Sequence, residues 1–485
     1  MATRTKAAVS LGSVWREGLT RVLPGISAAL DPTVMRGHLQ AALVGVQGAA
    51  TVQHCVPAQA VLLDDDCCIV RYKLAVEDPA GRRVPALVTG RVYADPGQAA
   101  AYAAERLAPL AAQARGRAEV APFATSVALV EPLSMAVHAY PVDGDLPTLA
   151  AATDPQVAAH ALGGLLATSG LAADGEVEVE RCHAEPVHYN RRHRCMLRYH
   201  LDLAGGRRLV LYGKVANDGA GARTPAVVDA LHGTLAAARV ALPECLGFCE
   251  DLQLVVLTAI PGTPQVAQLL AARSRGEPAA AAAAGGLALE GAVEACGQIA
   301  AALHSSGLRL GPPRPLEDEL AELRTGLAPM LHISPAVGAR LHRWLDLVEA
   351  RGATTPAQDV CQCHGDYSYT QLLFDGPRAG LVDFDTVCQA EPALDLGRFL
   401  SYLRLAEVKA RGAGRPPRAE LTERLAGRFA AAYTAAGGGA AVLERVGVYE
   451  AVSLIRMAEH AWQNLKAARL EHLVTVLDER LGLDT

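Results

Sequence analysis

From Arg194 to Leu203 the segment RCMLRYHLDL places an apolar side chain at every second position, and RRLVLYGKVA, Arg207–Ala216, continues after an Ala-Gly-Gly turn. Period-two alternation interrupted by glycine reads as antiparallel strands. The same texture lies about 125 residues earlier. CIVRYKL (Cys68–Leu74) returns as CMLRYHL (Cys195–Leu201), and TGRVYAD (Thr89–Asp95) returns as YGKVAND (Tyr212–Asp218). DPTV (Asp31–Val34) returns as DPQV (Asp154–Val157), and VQHC ending at Cys55 returns as VERC ending at Cys182. Ordered matches of this kind mark an internal repeat. Each copy predicts a short helix, three strands and a second helix, Gln98–Ala114 in the first and Thr224–Ala238 in the second. A further apolar strand closes each: SMAVHAY before Pro141, and LQLVVLTAI before Pro261 and Gly262. Past the alanine-rich stretch Ala279–Gly286 the pattern becomes helical, with one interruption near Cys361–Asp385. The expected division is 1–150, 151–275 and 276–485, with a hinge or linker between about Thr263 and Gly286.

Composition narrows the functional classes. At 485 residues the chain exceeds what one hydrophobic core serves. Its net charge of -6 and lack of a basic block argue against nucleic acid and anionic membrane as partners. Pro278–Leu289, the longest uncharged alanine-rich stretch, falls short of the roughly 20 apolar residues a membrane helix needs. No secretory signal is legible at the start, so a cytoplasmic location is expected. The 11 cysteines follow no paired zinc spacing and no disulfide framework, and read as buried thiols in a reducing compartment.

The interruption carries the chemistry. In CQCHGDYSYTQLLFDGPRAGLVDFDTVCQAEPALDLGRFL, a loop bearing Asp366 leads into a hairpin, QLLF, a turn at Asp375–Arg378, and AGLVDF with Asp383. Two carboxylates flank the hairpin, and the amide Gln371 stands five residues after the first. Phosphoryl transfer needs a base for the acceptor hydroxyl, oxygen ligands for magnesium and a cation at the phosphates. Asp366 suits the first task and Gln371 with Asp383 the second. Lys214, on the third strand of the second copy, stands where a lysine reaches phosphates in kinase-type sheets. The chain has only five lysines, Lys6, Lys73, Lys214, Lys409 and Lys466.

From Asp154 to the C-terminus the sequence resembles the aminoglycoside phosphotransferase family, a branch of the protein-kinase-like fold. HGDYSYTQ resembles its catalytic loop, and LVDFDTVCQAEPALDLGRF, with Glu391, Pro392 and Asp395, its metal-binding segment and following helix. The resemblance implies an α+β, two-lobed protein-kinase-like fold, and the internal repeat adds a duplicated, degenerate N-lobe-like domain in front of it. It implies Asp366 as catalytic base, Gln371 and Asp383 as magnesium ligands, Lys214 at the phosphates, and adenine pairing at about Thr258 and Ile260 in VVLTAIPG. ATP or another nucleoside triphosphate, Mg and a small hydroxyl acceptor, sugar-like or aminoglycoside-like, follow. Gln371 replaces the commoner Asn, a feature shared with the maltokinases, as is an extra N-terminal cap. No Glu on the helix after Lys214 is available to pair with it, Asp229 being the weak candidate. The strand-one turn, Asn190–Arg194, is basic rather than glycine-rich, so Arg191, Arg192 and Arg194 are read either as phosphate contacts or as a solvated turn. Asp395 reads as structural, and His304, His460 and His472 as packed or surface histidines. The competing reading is a pseudokinase, a nucleotide- or ligand-binding scaffold.

The first copy has Arg91 in place of Lys214 and an acidic turn, Asp64–Asp66, in place of the basic one. An arginine fork is not a simple substitute for a lysine point charge, and acidic groups repel a triphosphate. This copy is expected to have lost nucleotide binding. Capping the site, shaping the acceptor pocket and forming a homodimer remain open as its role.

Overall fold

The computed structural model describes residues 12–45, 50–169, 171, 177–191, 193–275, 287–412 and 419–481. Each copy of the repeat forms a five-stranded antiparallel sheet. In the first, β1 (Thr51–Leu62), β2 (Cys67–Glu77), β3 (Arg83–Tyr93), β4 (Val127–Val130) and β5 (Met135–Ala139) run in the order β1-β2-β3-β5-β4. In the second, β6 (Val179–Arg191), β7 (Arg194–Leu203), β8 (Arg207–Ala216), β9 (Cys245–Cys249) and β10 (Leu254–Thr258) run β6-β7-β8-β10-β9. The register agrees as well: Ile69 pairs with Arg91 and Met196 with Lys214, the corresponding residues of the two copies.

The repeated residues serve the same contacts. Asp31 and Asp154 each accept two backbone N–H groups at the start of a helix that opens with proline, satisfying donors the helix leaves free. Tyr72 donates its hydroxyl to the Ala29 carbonyl at 2.7 Å, and Tyr199 to Ala152 at 2.7 Å, both fully buried. Each ring crosses a glycine on the neighbouring strand. A Cβ on Gly213 would lie 2.5 Å from the Tyr199 ring, and Gly90 sits likewise against Tyr72 and Met135. On β7 the alternating residues Cys195, Leu197, Tyr199, Leu201 and Leu203 are buried, as period-two patterning requires.

The post-strand segments differ. Thr224–Leu235 is a regular helix, whereas Pro96–Ala114 passes through α, π, α and 3-10 turns. Pro109 lies inside that second stretch and lacks the N–H a continuous α-helix needs.

Beyond the sheets the chain is largely helical: Leu289–His304, Leu316–Ile333, Pro335–Thr354, Ala393–Gly412, Ala419–Ala435, Val442–Gln463 and Ala467–Leu481. Four short strands interrupt it, β11 (Cys361–Cys363), β12 (Leu372–Asp375), β13 (Arg378–Leu381) and β14 (Cys388–Ala390). The β12–β13 hairpin is tied to the second sheet's connections on both edges. Ala241 N–H donates to Ala379 O and Leu381 N–H to Ala241 O, each at 2.9 Å, while Thr263 and Phe374 exchange bonds of 3.1 and 2.8 Å.

One expectation changes. The segment assigned to a linker begins with the Thr263 bridge and a helix, Gln265–Ser274, so it is ordered structure up to Arg275; 276–286 lie outside the described residues. The N-terminal helix, Ser13–Val22, buries Trp15 and Leu19 and docks on the helical region of the same chain. Arg21 donates to the His332 carbonyl at 3.1 Å, and Gly18 packs directly on the Ile333 carbonyl.

Replacing Tyr199 by Phe keeps the ring over Gly213 but leaves the buried Ala152 carbonyl without its donor. Loss of about 1–2 kcal/mol of unfolding free energy is expected in chemical denaturation. An unchanged denaturation midpoint would contradict this account of the repeated tyrosine.

Candidate active site

The loop between β11 and β12 is held from beneath by one buried carboxylate. Asp395, in the first turn of Ala393–Gly412, accepts the His364 N–H at 2.7 Å and the Gly365 N–H at 2.9 Å. Burial alone would raise its pKa, but the hydrogen bonds from the His304 ring and the His364 amide hold it below the usual carboxylate value. An ionised carboxylate only accepts, so His304 Nε2, 3.2 Å from Asp395 Oδ2, must carry the proton. His364 is oriented by the same logic. The Asp366 N–H donates to His364 Nδ1 at 3.3 Å, leaving Nε2–H to donate to the Val382 carbonyl at 3.0 Å. Gly365 has φ +78, and a Cβ there would strike the Thr386 carbonyl; this position requires glycine.

Asp366 emerges from that support half-buried. Arg398 bonds the Gly365 carbonyl at 2.7 Å and reaches Asp366 Oδ1 at 3.4 Å. Gln371 Nε2 lies 3.5 Å from Asp366 Oδ2 and 3.3 Å from Asp383 Oδ2, so the amide stands between the two carboxylates. Asp383 follows the hairpin with φ 72, a conformation few residues other than glycine adopt. The ties of the hairpin to Ala241 and Thr263 bring this segment under β8.

There Lys214 Nζ contacts Asp383 Oδ1 at 2.6 Å and Asp385 Oδ1 at 2.8 Å. Burial would depress the ammonium pKa, but the two carboxylates outweigh it and hold it above its ordinary value. Arg194, on β7, bridges Asp385 Oδ2 at 3.1 Å and Asp218 Oδ2 at 2.8 Å. The structure therefore brings Lys214, Asp366, Gln371 and Asp383 into one group. Hard oxygens of Asp383, Asp385 and Gln371 are the donors there suited to a divalent cation.

The remaining sequence expectations fall out as follows. Asp229 is not among the hydrogen-bonded partners of Lys214, whose partners are Asp383 and Asp385. Thr258 N–H donates to the Glu244 carbonyl at 2.9 Å and its hydroxyl accepts the Glu244 N–H at 2.8 Å, whereas Ile260 lies past the strand end against Gly380. Arg194 is an ion-pair bridge rather than a solvated turn; the side chain of Arg191, and Arg192 altogether, lie outside the described residues. Glu391 pairs with Arg445 and accepts from Tyr449 at 3.1 Å, which makes it structural. Asp385 and Arg398 were missed by the sequence reading. Asp385 had a signal, the second acid of DFD two residues after Asp383, whereas Arg398 had none that distinguishes it from other helix arginines.

In the first copy Arg91 is closed off. Its guanidinium meets Asp145 at 2.5 Å, lies 4.3 Å from the centre of the Tyr102 ring and is 5% exposed.

Asp395→Asn would place an amide where two backbone N–H groups and an imidazole N–H converge. A loss of about 2–4 kcal/mol of stability is expected. Because the folded carboxyl titrates below its unfolded value, the wild-type advantage should be full above pH ~4–5 and vanish as pH falls through the folded value. A variant of equal stability at neutral pH would remove Asp395 as the support of the loop.

The phosphotransferase enzyme family (APH) matches residues 197–449, just over half the chain, a span that contains Lys214, Asp366, Gln371, Asp383 and Asp385. No curated protein matches the sequence significantly. Among solved structures, macrolide 2'-phosphotransferase type I is 15% identical, with 66% of this chain and 96% of that chain covered at a TM-score of 0.40. A choline/ethanolamine kinase family protein from Mesorhizobium loti is 17% identical, with 67% and 97% covered at 0.40. The GDP and kanamycin complex of APH(2")-IIia is 14% identical, with 67% and 99% covered at 0.42. On the strength of the sequence match, this chain belongs to the phosphotransferase enzyme family.

Proposed function

We propose that this chain transfers the γ-phosphoryl group of ATP, or another nucleoside triphosphate, to a hydroxyl of a small polar molecule, a sugar or an aminoglycoside-like compound. The observation that carries the reading is the meeting of Lys214 with Asp383 and Asp385 beside Gln371 and Asp366. Asp366 is the base: it takes the hydroxyl proton as the acceptor oxygen bonds to phosphorus and the bond to the leaving diphosphate breaks. Arg398 and Gln371 fix the direction of its two oxygens. Lys214 is the phosphate lysine, and Arg194 restrains Asp385 beside it. The set fits magnesium by its chemistry, since Asp383, Asp385 and the Gln371 amide offer oxygen donors and the Asp383 side chain is 30% exposed. Magnesium held by Gln371 and Asp383 would neutralise charge on the transferring phosphates. Thr258 and Ile260 lie at the strand end proposed to meet the adenine.

The proposed units are 1–150, 151–275 and 276–485, the first a degenerate N-lobe-like repeat. Arg91, neutralised by Asp145 and covered by Tyr102, has no charge to spare for a triphosphate. The first helix, docked on Leu316–Ile333, supports a cap or pocket-shaping role over a dimer contact.

Asp366→Asn should lower acceptor-dependent ADP release by about 10²–10⁴-fold while nucleotide affinity, measured by calorimetry with Mg, stays within a few-fold. The acceptor panel is sugars, aminoglycosides and amino alcohols. Undiminished turnover in the variant would remove Asp366 from the mechanism. A wild-type protein that binds ATP yet shows neither turnover across the panel nor Mg-dependent hydrolysis would be a scaffold instead.

A further inference from the structure

Behind the loop that carries Asp366 lies a cluster the phosphoryl-transfer reading does not use. Cys361 and Cys363, two residues apart on β11, point to the same face, as alternate strand residues do. Their sulfurs are 3.7 Å apart. A nitrogen of His304 and both sulfurs lie within 4.8 Å of one another. A tetrahedral zinc ion bound at about 2.3 Å to two thiolates separates their sulfurs by about 3.8 Å. The cysteine pair is thus already at the spacing such an ion would impose.

The histidine is prepared for the same task. Its Nε2–H is committed to the ionised Asp395, so Nδ1 holds the lone pair and accepts from the Tyr433 hydroxyl at 3.1 Å. An imidazole whose far nitrogen donates to a carboxylate is the usual arrangement of a zinc-binding histidine. Cys363 is buried and Cys361 is half-buried, which leaves the cluster a side open to solvent.

We propose that His304, Cys361 and Cys363 form a binding site for a thiophilic divalent cation, zinc in the first instance, separate from the magnesium donors. Binding exchanges two thiol protons for the metal, the protons passing to solvent, and His304 coordinates through Nδ1 in place of its bond with Tyr433. A water or the Tyr433 oxygen takes the fourth position. Soft sulfur donors exclude magnesium from this site, as hard carboxylates favour it at the other. Asp395 links the two, because the carboxylate that holds His304 also holds the His364 and Gly365 amides.

The test uses the full-length protein, reduced and metal-free under nitrogen, with excess Mg²⁺ present to saturate oxygen sites. Titration with Co²⁺ should give a thiolate-to-cobalt charge-transfer band that saturates at one ion per chain and is bleached by one equivalent of Zn²⁺. Cys361→Ser should weaken zinc binding by about 100-fold or more and reduce the band. Cys249→Ser, on β9, should leave both unchanged. Absence of the band from reduced wild type overturns the proposal, as does a band that survives in Cys361→Ser/Cys363→Ser. Recovery of a Cys361–Cys363 disulfide together with no cobalt band after reduction would also overturn it and identify a redox pair.

Discussion

A lysine ammonium set between two carboxylates fixes how the second sheet meets the β12–β13 hairpin. Lys214 comes from near the C-terminal end of β8, Asp383 and Asp385 from the segment after β13, and 169 residues separate the first pair in sequence. With its side chain 12% exposed, Lys214 could not remain charged there without those partners. Removing one side of such a buried pair typically costs about 3–5 kcal/mol, because the other charge stays behind unpaired. The contact is short because the hairpin is fastened by backbone bonds to Ala241 and Thr263. Support therefore runs from Asp395 through the loop to Asp366, and from the sheet connections through the hairpin to Lys214.

The two sheets show how one architecture can carry different loops and charges. Strand order, register, the tyrosine hydroxyl bond and the glycine beneath its ring are common to both. What differs is the cation and what faces it. Lys214 points to a segment carrying two acids, Asp383 and Asp385, whereas Arg91 is consumed within its own unit by Asp145 and Tyr102. Tyr189 of the second sheet donates to Asp143, and Asn217 donates to the Asp145 carbonyl at 3.2 Å. The closed site thus serves as part of the junction between the two sheets.

Period-two patterning made β7, β8 and the β12–β13 hairpin legible, because one buried face imposes alternation. The matched landmarks located equivalent strands and even the residue that replaces Lys214. Long-range partners were not legible in the same way. The helix Ser13–Val22 displays an apolar face, but nothing in that face names Leu316–Ile333 as its partner. Asp385 stood in plain view in DFD, yet only the fold shows that both acids of that segment turn towards Lys214. The Pro96–Ala114 helix was legible as an element but not as an irregular one, and the helix Gln265–Ser274 was hidden by the alanine-rich sequence that follows it.

The central claim is that only the second sheet handles nucleotide, and the internal repeat supplies its own control. Apparent ATP affinity at saturating acceptor, and acceptor affinity at saturating ATP, should be measured for Lys214→Ala and Arg91→Ala beside wild type. Lys214→Ala should lower turnover by orders of magnitude and disturb the ATP titration. Arg91→Ala should leave the ATP titration and the chemical step unchanged, with any effect confined to acceptor affinity or stability. An equal rise of the apparent ATP constant in both variants would show nucleotide bound at the first sheet and contradict the account.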